Sequence, residues 1–595
     1  MCVGARPTGP LSRFLVPNAL SSLAHRRIVE AANIEQIAKP RKHGQHTVRI
    51  LLPEQQVTDA TNPPPVSVHS DSSVEPPGSG LDRREFINAA TKASASIAAG
   101  LALPEFGAAT ATPSVKPPIS DLLTMDALAL SQAIQQKKVS CAEVMTTFLD
   151  HIERTNPRVN AIVSLQPRDS LLKQAGERDS QLARGEYLGW MHGFPHAVKD
   201  LAPTKGIRTT WGSPLLDTVP QLDAIFVERL RQNGAIIIGK TNAPEFGFGS
   251  QSYNQVFGTT LNAYDQSKTA GGSSGGAACA LALRMLPVAD GSDAMGSLRN
   301  PAAYNNVIGF RPSYGRVPSS EPELFLGQLS TAGPMGRSIS DVAMLLSVMA
   351  GPDSRSPLSI EQDPARFTRD LEPNLQGTRV GWLGDLGGHL QIERGIMDLC
   401  QNAIKNFETL GCVVEAARID FPPERMWETW LKLRHWLSAG NLMHLYQDPA
   451  KRDKMKPEAV WEVEGGLKLS ALDVYEASTA RSEFYRAMSK LFATYDFLLL
   501  PSAQVFPFDA SLHWPKSIHE VAMDTYHRWM EVVVPASLSA LPVINVPVGF
   551  SRDRLPMGMQ VIGKNHADFS VLQIGYAYEQ ATHWVRNNLP PLLEA

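Results

Sequence analysis

Short, continuously apolar segments recur along the chain between stretches with helical periodicity, and this pattern restricts the fold more than any other feature. The apolar segments are rich in β-branched residues and do not alternate with polar ones, which is typical of strands buried on both faces of a sheet. They are "GFPHAVKDL", "GAIIIGKT", "RMLPVADGSD", "TRVGWLGDL", "CVVEAARID", "YDFLLLPSA", "PVINVPVGF" and "GMQVIGK". Helical patterns lie between them, for example over residues 222–233 and 391–409. The sequence therefore predicts an α/β fold in which helices cover a sheet.

Two further helical regions bear on the architecture. The segment "ISDLLTMDALALSQAIQQKKVSCAEVMTTFLDHIERTNP" predicts two amphipathic helices, and Ser140 with Glu143 forms a capping-box pattern at the start of the second. Residues 424–490 are also helical, and this segment is either an insertion that roofs a pocket or an ordinary helical layer. Its closely spaced tryptophans are Trp427, Trp430 and Trp436.

Composition and charge argue against several classes of function. Hydrophobic residues make up 43% of the 595 residues and charged residues 19%, a composition that supports a globular core. The net charge is -3, and the basic residues are spread along the chain, so there is no electrostatic case for nucleic-acid binding. Five cysteines are too few and too scattered for a disulfide scaffold or a zinc site. Cys400 and Cys412 either pair in an oxidising compartment or are unpaired buried thiols.

The N-terminal part of the chain reads differently from the rest. Residues 1–80 are Pro/Ser-rich without sustained periodicity, and we expect a disordered extension there. Residues 81–111 resemble a twin-arginine signal peptide, with Arg83-Arg84, a mildly apolar run and a small-residue cleavage site that ends at Ala111. An amphipathic helix that happens to follow an arginine pair is the alternative. The signal predicts export to the periplasm, and without it the protein would be cytoplasmic.

Two details of this segment bear on the position of the start codon and on membrane anchoring. A signal that begins after about 80 residues is unusual, and a start codon assigned too far upstream would explain it. The apolar run is short and is interrupted by Lys92, so we expect no stable membrane anchor. Residues 112–595 are then the mature protein, which has a suitable length for a single large domain.

Two segments of the sequence match motifs of other protein classes. "GAIIIGKT" fits the phosphate-loop pattern, but its intervening residues build a strand rather than a loop of exposed N–H groups, so nucleotide binding is rejected. "GGSSG" fits the nucleophile elbow of α/β-hydrolases, with Ser273 as nucleophile and His566 as a possible base. The residues before Ser273 are polar and loop-like, whereas an elbow needs a strand there. An esterase of this type therefore stays as an alternative.

The run that begins near Lys199 carries a more specific resemblance. It contains "GFPHAVKDL", "GKTNAPEFGFGSQSYNQVFG", "TAGGSSGGAACALA" and "GSDAMGSLRNPA", and "SALPVINVPVGF" and "LPMGMQVIG" follow later. In combination these segments resemble the amidase signature family of serine hydrolases, over about residues 116–583. The resemblance implies one large α/β domain, residues 112–595, with a mixed and mostly buried sheet covered by helices on both faces.

The resemblance also implies a Ser–Ser–Lys triad without histidine. Carried over by motif, Lys199 is the base, Ser273 is the bridging serine that follows a cis Gly272–Ser273 peptide bond, and Ser297 is the nucleophile. The chemistry is consistent, because burial disfavours the ammonium form and lowers a lysine pKa from its usual value of about 10.4. A neutral amine can then accept the proton that Ser297 loses, through Ser273. Taken singly, a surface lysine and a helix-capping serine would be the simpler explanations.

The remaining site residues follow from the same motifs. The backbone N–H groups of Ala294, Met295, Gly296 and Ser297 are expected to form the oxyanion hole. The family commonly has glycine where Met295 stands, so this residue either keeps a helical φ or narrows the pocket. The expected supporting residues are Gly272, Ser274, Asp293 and Arg299, with Asp293 and Arg299 paired; ordinary structural use of these side chains is an equal alternative.

The sequence thus predicts an amidase that hydrolyses a carboxamide C–N bond to an acid and an amine or ammonia through an acyl-enzyme. The alternatives are the esterase described above and a non-catalytic subunit of the tRNA-dependent amidotransferase type. No metal, nucleotide or organic cofactor is implied, the expected partner is a small-molecule amide, and homodimer formation stays open. Pocket walls are expected from residues 245–257, 424–460 and 502–530. Their aromatic residues favour an apolar or aryl acyl group: Trp427, Trp430, Trp436, Phe506, Phe508 and Trp514.

Overall fold

The computed structural model describes residues 120–319 and 321–594. The predicted N-terminal extension (1–80), the predicted signal (81–111) and the first residues of the predicted domain lie outside the described residues. The elements and contacts of the fold are those of the described part of the chain.

The strands form an eight-stranded sheet, a three-stranded sheet and two short hairpins. Their bounds are β1 Ile162–Val163, β2 Pro195–Lys199, β3 Ile236–Thr241, β4 Tyr253–Asn254, β5 Gly258–Thr259, β6 Ala289–Asp293, β7 Ile308–Arg311, β8 Thr331–Gly336, β9 Arg379–Trp382, β10 Val413–Ala416, β11 Phe497–Pro501, β12 Ser517–Ile518, β13 Val521–Ala522, β14 Val543–Phe550 and β15 Pro556–Gly563.

The large sheet is mixed, with the order β10–β9–β11–β15–β14–β7–β8–β6. The β10–β9 and β9–β11 pairs are parallel, and the pairs from β11 to β6 are antiparallel. The small sheet has the order β1–β3–β2, in which β2 and β3 are parallel. The remaining pairs, β4–β5 and β12–β13, form the hairpins.

Helices make up a larger share of the described residues than strands do. The α-helices are α1 Asp121–Thr124, α2 Ala127–Gln135, α3 Cys141–Thr155, α4 Arg168–Ala183, α5 Ile225–Gln232, α6 Gly275–Ala282, α7 Arg299–Tyr304, α8 Ile339–Met349, α9 Ile396–Thr409, α10 Pro423–Tyr446, α11 Pro449–Arg452, α12 Pro457–Leu467, α13 Ala471–Leu491, α14 Val534–Leu538, α15 Asp568–Thr582, α16 Trp584–Asn587 and α17 Pro591–Glu594.

Each face of the large sheet packs into its own apolar cluster. In β11, Leu499 belongs to a cluster shared with α8, α9 and α15, whereas its neighbours Leu498 and Leu500 belong to a second cluster shared with α10 and α13. Successive side chains of a strand point to opposite faces, so strands covered on both sides must be apolar at every position. This packing explains the continuous apolar runs and confirms the α/β fold with helices on both faces.

The eight predicted strand segments all contain strands, but their burial differs in one case. The residues of β10 are mostly exposed, because β10 is the last strand at one edge of the large sheet; only Val414 is partly buried, against the main apolar cluster. Strands β7 and β8 were not predicted from the sequence. The sequence of β8, "TAGPMG", contains two glycines and a proline, which strand propensity disfavours.

The predicted helices are present, but some of their boundaries differ from the prediction. The capping box of α3 is present, since Ser140 Oγ accepts the Glu143 N–H and Glu143 Oε2 accepts the Ser140 N–H. The helix predicted before it is broken into α1 and α2, with Asp126 in an extended conformation at the start of α2. The helical segment 424–490 comprises α10 to α13.

The two sheets meet where β2 runs beside β6, and Asp290 links them. His196 Nε2 on β2 lies 2.9 Å from Asp290 Oδ1 on β6, and the Lys199 N–H donates to Asp290 Oδ2 at 3.2 Å. The three side chains are almost completely buried. This junction fixes the end of β2, where the predicted base lies, against the strand that leads to the predicted nucleophile.

Two further predictions can be compared with the described residues. Cys400 and Cys412 are free and buried, so they do not form a disulfide. Among the described residues, none of the helices combines the length and the apolar character that crossing a bilayer would require.

Candidate active site

The amine of Lys199 lies at the centre of a group of serine hydroxyls. Lys199 ends β2 and is 1% exposed. Its Nζ is 2.8 Å from Ser273 Oγ, 2.8 Å from Ser274 Oγ and 3.0 Å from Ser292 Oγ. No carboxylate lies within ion-pair distance of Nζ in the described part of the chain. The amine is therefore surrounded by neutral hydrogen-bonding groups.

This environment changes the proton affinity of the amine. Burial lowers the pKa of Lys199 to about 7, and the charges of Asp290 and Asp293 oppose that shift without cancelling it. Desolvation disfavours the ammonium form because hydroxyl dipoles replace its hydration only in part. A substantial fraction of Lys199 is then uncharged at neutral pH, as a general base requires.

The turn that carries Ser273 and Ser274 is held by a close backbone approach. The Gly272–Ser273 peptide bond is cis, as the resemblance implies. Ser250 Oγ donates to the Gly272 carbonyl oxygen at 2.6 Å, and a Cβ on Gly272 would lie 2.9 Å from the backbone nitrogen of Gln251. Glycine is therefore required at position 272 for steric reasons. Helix α6 begins directly after the turn, at Gly275.

Ser297 lies in the loop between β6 and α7 and lines the same cavity as Lys199 and Ser273. The Ser274 N–H donates to the Ser297 carbonyl oxygen at 3.3 Å, which joins the two serine-bearing loops. Within the described residues the Ser297 hydroxyl has no hydrogen-bond partner, whereas Ser273 is in contact with Lys199. The structure thus brings the three predicted residues to one place and leaves the Ser297 hydroxyl unpaired.

The loop before Ser297 presents fewer backbone donors than expected. The Gly296 N–H donates to Asp293 Oδ1 at 2.8 Å, so it is already engaged. The N–H groups of Ala294, Met295 and Ser297 donate to none of the described residues. The positive φ of the loop, 79°, falls on Gly296 and not on Met295, whose buried side chain lines the cavity. A methionine is therefore accommodated without backbone strain.

Asp293 and its arginines form the rigid base of this loop. Arg299 makes two hydrogen bonds to the Asp293 carboxylate, at 2.9 and 3.0 Å, and Arg311 lies 3.3 Å from Asp293 Oδ1. Burial alone would raise the pKa of Asp293, but the two guanidinium groups outweigh it and hold that pKa well below its usual value. The predicted pairing of Asp293 with Arg299 is present, and Arg311 extends it.

The cavity above the serines has a volume of about 770 Å³. All three predicted walls contribute, since Phe246 and Phe248 come from the first and Trp430 and Leu437 from α10 in the second. From the third, residues 502–530, only the last residues line it. Helix α10 therefore lines the cavity and also packs with α13 against the large sheet, so both alternatives for the helical segment are met in part.

The aromatic prediction was only partly correct. Of the six aromatic residues named from the sequence, Trp430 lines the cavity and the other five do not: Trp427, Trp436, Phe506, Phe508 and Trp514. The segment from Tyr314 to Ala332 supplies a wall that was not predicted.

The structure also bears on the phosphate-loop and nucleophile-elbow motifs. In the phosphate-loop match, Lys240 belongs to β3, is fully buried, and donates to the Ala202 carbonyl oxygen and to Thr204 Oγ1, both at 2.7 Å. His566 is exposed and does not line the cavity that contains Ser273, which disfavours the elbow alternative. Among the described residues, no group of three or more His, Cys, Asp or Glu side chains is arranged to hold a metal ion.

Three residues of the site were missed from the sequence: Ser292, Asp290 and His196. Ser292 contacts the lysine amine, and the other two join β2 to β6. A signal was present, because Asp290 and His196 interrupt otherwise apolar strand segments, and a buried polar group needs a partner. Pairing them required knowledge that β2 and β6 are neighbours, which the sequence did not supply.

The chain is similar to known proteins over most of its length. The family model described as Amidase matches residues 143–572. An acylamidase of Rhodococcus erythropolis is 31% identical over 470 residues, covering 77% of this chain and 96% of that protein. A glutamyl-tRNA(Gln) amidotransferase subunit from Alkaliphilus metalliredigens (strain QYMF) is 32% identical over 486 residues, covering 78% of this chain and 96% of its own length.

A solved structure shows the same similarity. That of a bacterial aryl acylamidase of the amidase signature family superposes with a TM-score of 0.72 at 28% identity, covering 78% of this chain and 97% of that chain. The range matched by the family model includes the segments that carry Lys199, Ser273 and Ser297.

Replacement of Asp293 by alanine tests the role of the buried carboxylate. Asp293→Ala leaves Arg299 and Arg311 buried without a counter-ion, and we expect a loss of ~3–5 kcal/mol in the free energy of unfolding. Urea denaturation followed by circular dichroism measures it. The control is Asp217→Ala, which removes an exposed ion pair with Arg208 and should change stability by less than ~1 kcal/mol. Equal losses in the two variants would contradict the assignment.

Proposed function

Because this chain belongs to the amidase signature family, we propose that it hydrolyses a carboxamide C–N bond through an acyl-enzyme on Ser297. Membership of the family makes it a hydrolase that acts on C–N amide bonds. The observation that carries the finer proposal is the 2.8 Å contact of the buried Lys199 amine with Ser273, in the cavity that Ser297 lines.

In the first step the Ser297 hydroxyl attacks the amide carbonyl carbon. Ser297 Oγ passes its proton to Ser273 Oγ, and Ser273 passes its own proton to the neutral amine of Lys199. A C–O bond forms, and the carbonyl oxygen becomes an oxyanion. The free N–H groups of Ala294, Met295 and Ser297 are the donors available to it.

In the second step the tetrahedral intermediate collapses. The Lys199 ammonium returns its proton to Ser273, which protonates the departing nitrogen as the C–N bond breaks. An amine or ammonia leaves, and the acyl group stays on Ser297 as an ester. Water then attacks this ester with the same proton relay, which releases the carboxylic acid and restores the Ser297 hydroxyl.

Ser274 and Ser292 would orient the amine during this relay. A neutral lysine has two N–H donors and one lone pair. Donation to Ser274 and Ser292 leaves the lone pair for Ser273, and the observed distances permit this arrangement. These serines are positioning residues, since neither exchanges a proton with the substrate.

The substrate we propose carries an apolar or aryl group. Phe246, Phe248 and Trp430 line the cavity, and similar proteins include an acylamidase and an aryl acylamidase. A second candidate is release of ammonia from an amide for a partner protein, as the similarity to an amidotransferase subunit suggests. A panel of anilides, aliphatic amides, cyclic amides, peptide C-terminal amides and glutamine separates the two, because strong preference for glutamine would favour the second.

Ser297→Ala tests the nucleophile. We expect amide hydrolysis to fall by ~10⁴-fold or more, because no acyl-enzyme can form, with circular dichroism confirming the fold. His566→Ala is the matched control for the esterase alternative and should retain full activity on amide and ester substrates. Full activity of Ser297→Ala, or its loss in His566→Ala, would contradict the proposal.

The pH profile of kcat/KM tests the base. Only the neutral amine accepts a proton, so activity should rise through pH ~7 to a plateau and fall about tenfold per pH unit below it. Asp290→Asn removes a negative charge that raises the pKa of Lys199, so its acid limb should move to lower pH. Lys199→Arg should be inactive throughout, because its guanidinium stays charged. A limb that Asp290→Asn moves to higher pH would contradict this assignment.

We also propose export to the periplasm, on the basis of Arg83-Arg84 and the cleavage site that ends at Ala111. After expression of the full chain, N-terminal sequencing of periplasmic material should begin near Thr112. An Arg83→Lys/Arg84→Lys double variant should keep the protein uncut in the cytoplasm. Uncut cytoplasmic protein from the unaltered chain would remove the proposal.

A further inference from the structure

A second cavity, of about 680 Å³, lies apart from the catalytic one and shares none of its lining residues. Its walls come from α1, α2, α8, α15 and residues 583–589. One residue in it, Arg284, has an unusual environment. Arg284 follows α6 in a left-handed conformation with φ 60°, so it lies at the other end of that helix from the Ser273–Ser274 turn.

The Arg284 side chain is buried and unpaired. The residue is 7% exposed, its Nε is completely buried without a hydrogen-bond partner, and none of the described residues forms an ion pair with its guanidinium group. A guanidinium has five N–H donors, and almost all buried polar groups in proteins have partners. The partial negative charge at the C-terminus of α6 can attract Arg284 but does not satisfy these donors.

The carboxyl groups near Arg284 either have other partners or are mostly uncharged. Asp126 pairs with Arg586 at 3.4 Å, and the two carboxylate oxygens of Asp341 accept the N–H groups of Ala127 and Leu128. Burial raises the pKa of Glu579 to about 8, so this carboxyl is mostly uncharged at neutral pH. No carboxylate among the described residues therefore contacts the Arg284 guanidinium, although the charge of Asp126 acts on it from a distance.

A second arginine adds to the positive charge. Arg337 is 4% exposed, and its guanidinium donates to the backbone carbonyl oxygens of Leu286 and Met125 rather than to a carboxylate. Burial, and then the charge of Arg337, lower the pKa of Arg284 to about 9, so Arg284 is still charged at neutral pH. The cavity thus contains two buried guanidinium groups, and no carboxylate of residues 120–319 or 321–594 contacts either of them.

We propose that this cavity is a binding site for an organic monocarboxylate, held by the Arg284 guanidinium. The planar fork of arginine matches the two oxygens of a carboxylate. A dianion such as phosphate is less suitable, because Asp126 and Asp341 would repel a second charge. Met125, Leu128 and Val546 supply apolar walls for the organic part. The site does not depend on the proposed catalytic function.

Thermal denaturation with benzoate as the probe tests the site, in a Ser297→Ala background so that no chemistry intervenes. We expect benzoate to raise the melting temperature, the neutral isostere benzamide to have a smaller effect, and inorganic phosphate to bind more weakly than benzoate. In Arg284→Gln the affinity of this site for benzoate should fall about tenfold or more. Arg208→Gln, a change at an exposed arginine, should leave it unaltered.

Direct location of the ligand separates this cavity from the catalytic one, which could also take up a carboxylate. Crystals of the Ser297→Ala protein with 4-bromobenzoate should show a bromine anomalous peak in the second cavity, with the carboxylate on Arg284, and Arg284→Gln should lack it. Should Arg284→Gln fail to fold, the peak in the Ser297→Ala protein decides the question. No peak there, a peak that persists in Arg284→Gln, or phosphate binding as tight as that of benzoate would overturn the proposal.

Discussion

The burial of the Lys199 amine is the constraint on which the rest of the site depends. An ammonium group removed from water is strongly disfavoured unless a carboxylate compensates it. Here the hydroxyl groups of Ser273, Ser274 and Ser292 surround Nζ instead. Asp293, which could have served as a counter-ion, is neutralised by its own arginines. This environment thus favours the neutral form of the amine, and the proposed base needs no histidine beside it.

The fold achieves this arrangement by bringing three separate backbone elements to one point. β2 ends at Lys199, the Ser273–Ser274 turn precedes α6, and β6 leads into the loop that carries Ser297. Asp290 joins β2 to β6, and the Ser274 N–H joins the turn to the Ser297 loop. Each connection is a hydrogen bond between buried groups, and such a bond weakens when either partner moves. The position of the amine relative to the serines is therefore set by the backbone.

Much of this organisation could be predicted from the sequence, and the failures have a common cause. Apolar runs such as that of β11 are visible locally, because both faces of the strand are buried. The prediction of Lys199, Ser273 and Ser297 as a triad depended on motif resemblance, since nothing local distinguishes Lys199 from a surface lysine. The features that were not predicted depend on contacts between segments: the Asp290 junction, the hydrogen bond from the Gly296 N–H to Asp293, and the residues that line the cavity. The strand β10 was predicted correctly, but its predicted burial was wrong for the same reason, because edge position is a property of the whole sheet.

A direct measurement of the protonation of Lys199 tests the central claim. Protein with ¹³C-labelled lysine can be titrated by NMR, and the Lys199 Cε resonance can be assigned as the one absent from Lys199→Met. The assignment is necessary because burial also lowers the pKa values of Lys240 and Lys456, to about 8 in each case. We expect the Lys199 resonance to titrate with a midpoint near pH 7. A resonance that stays in the ammonium position to above pH ~10, the ordinary lysine value, would contradict a neutral amine as the base.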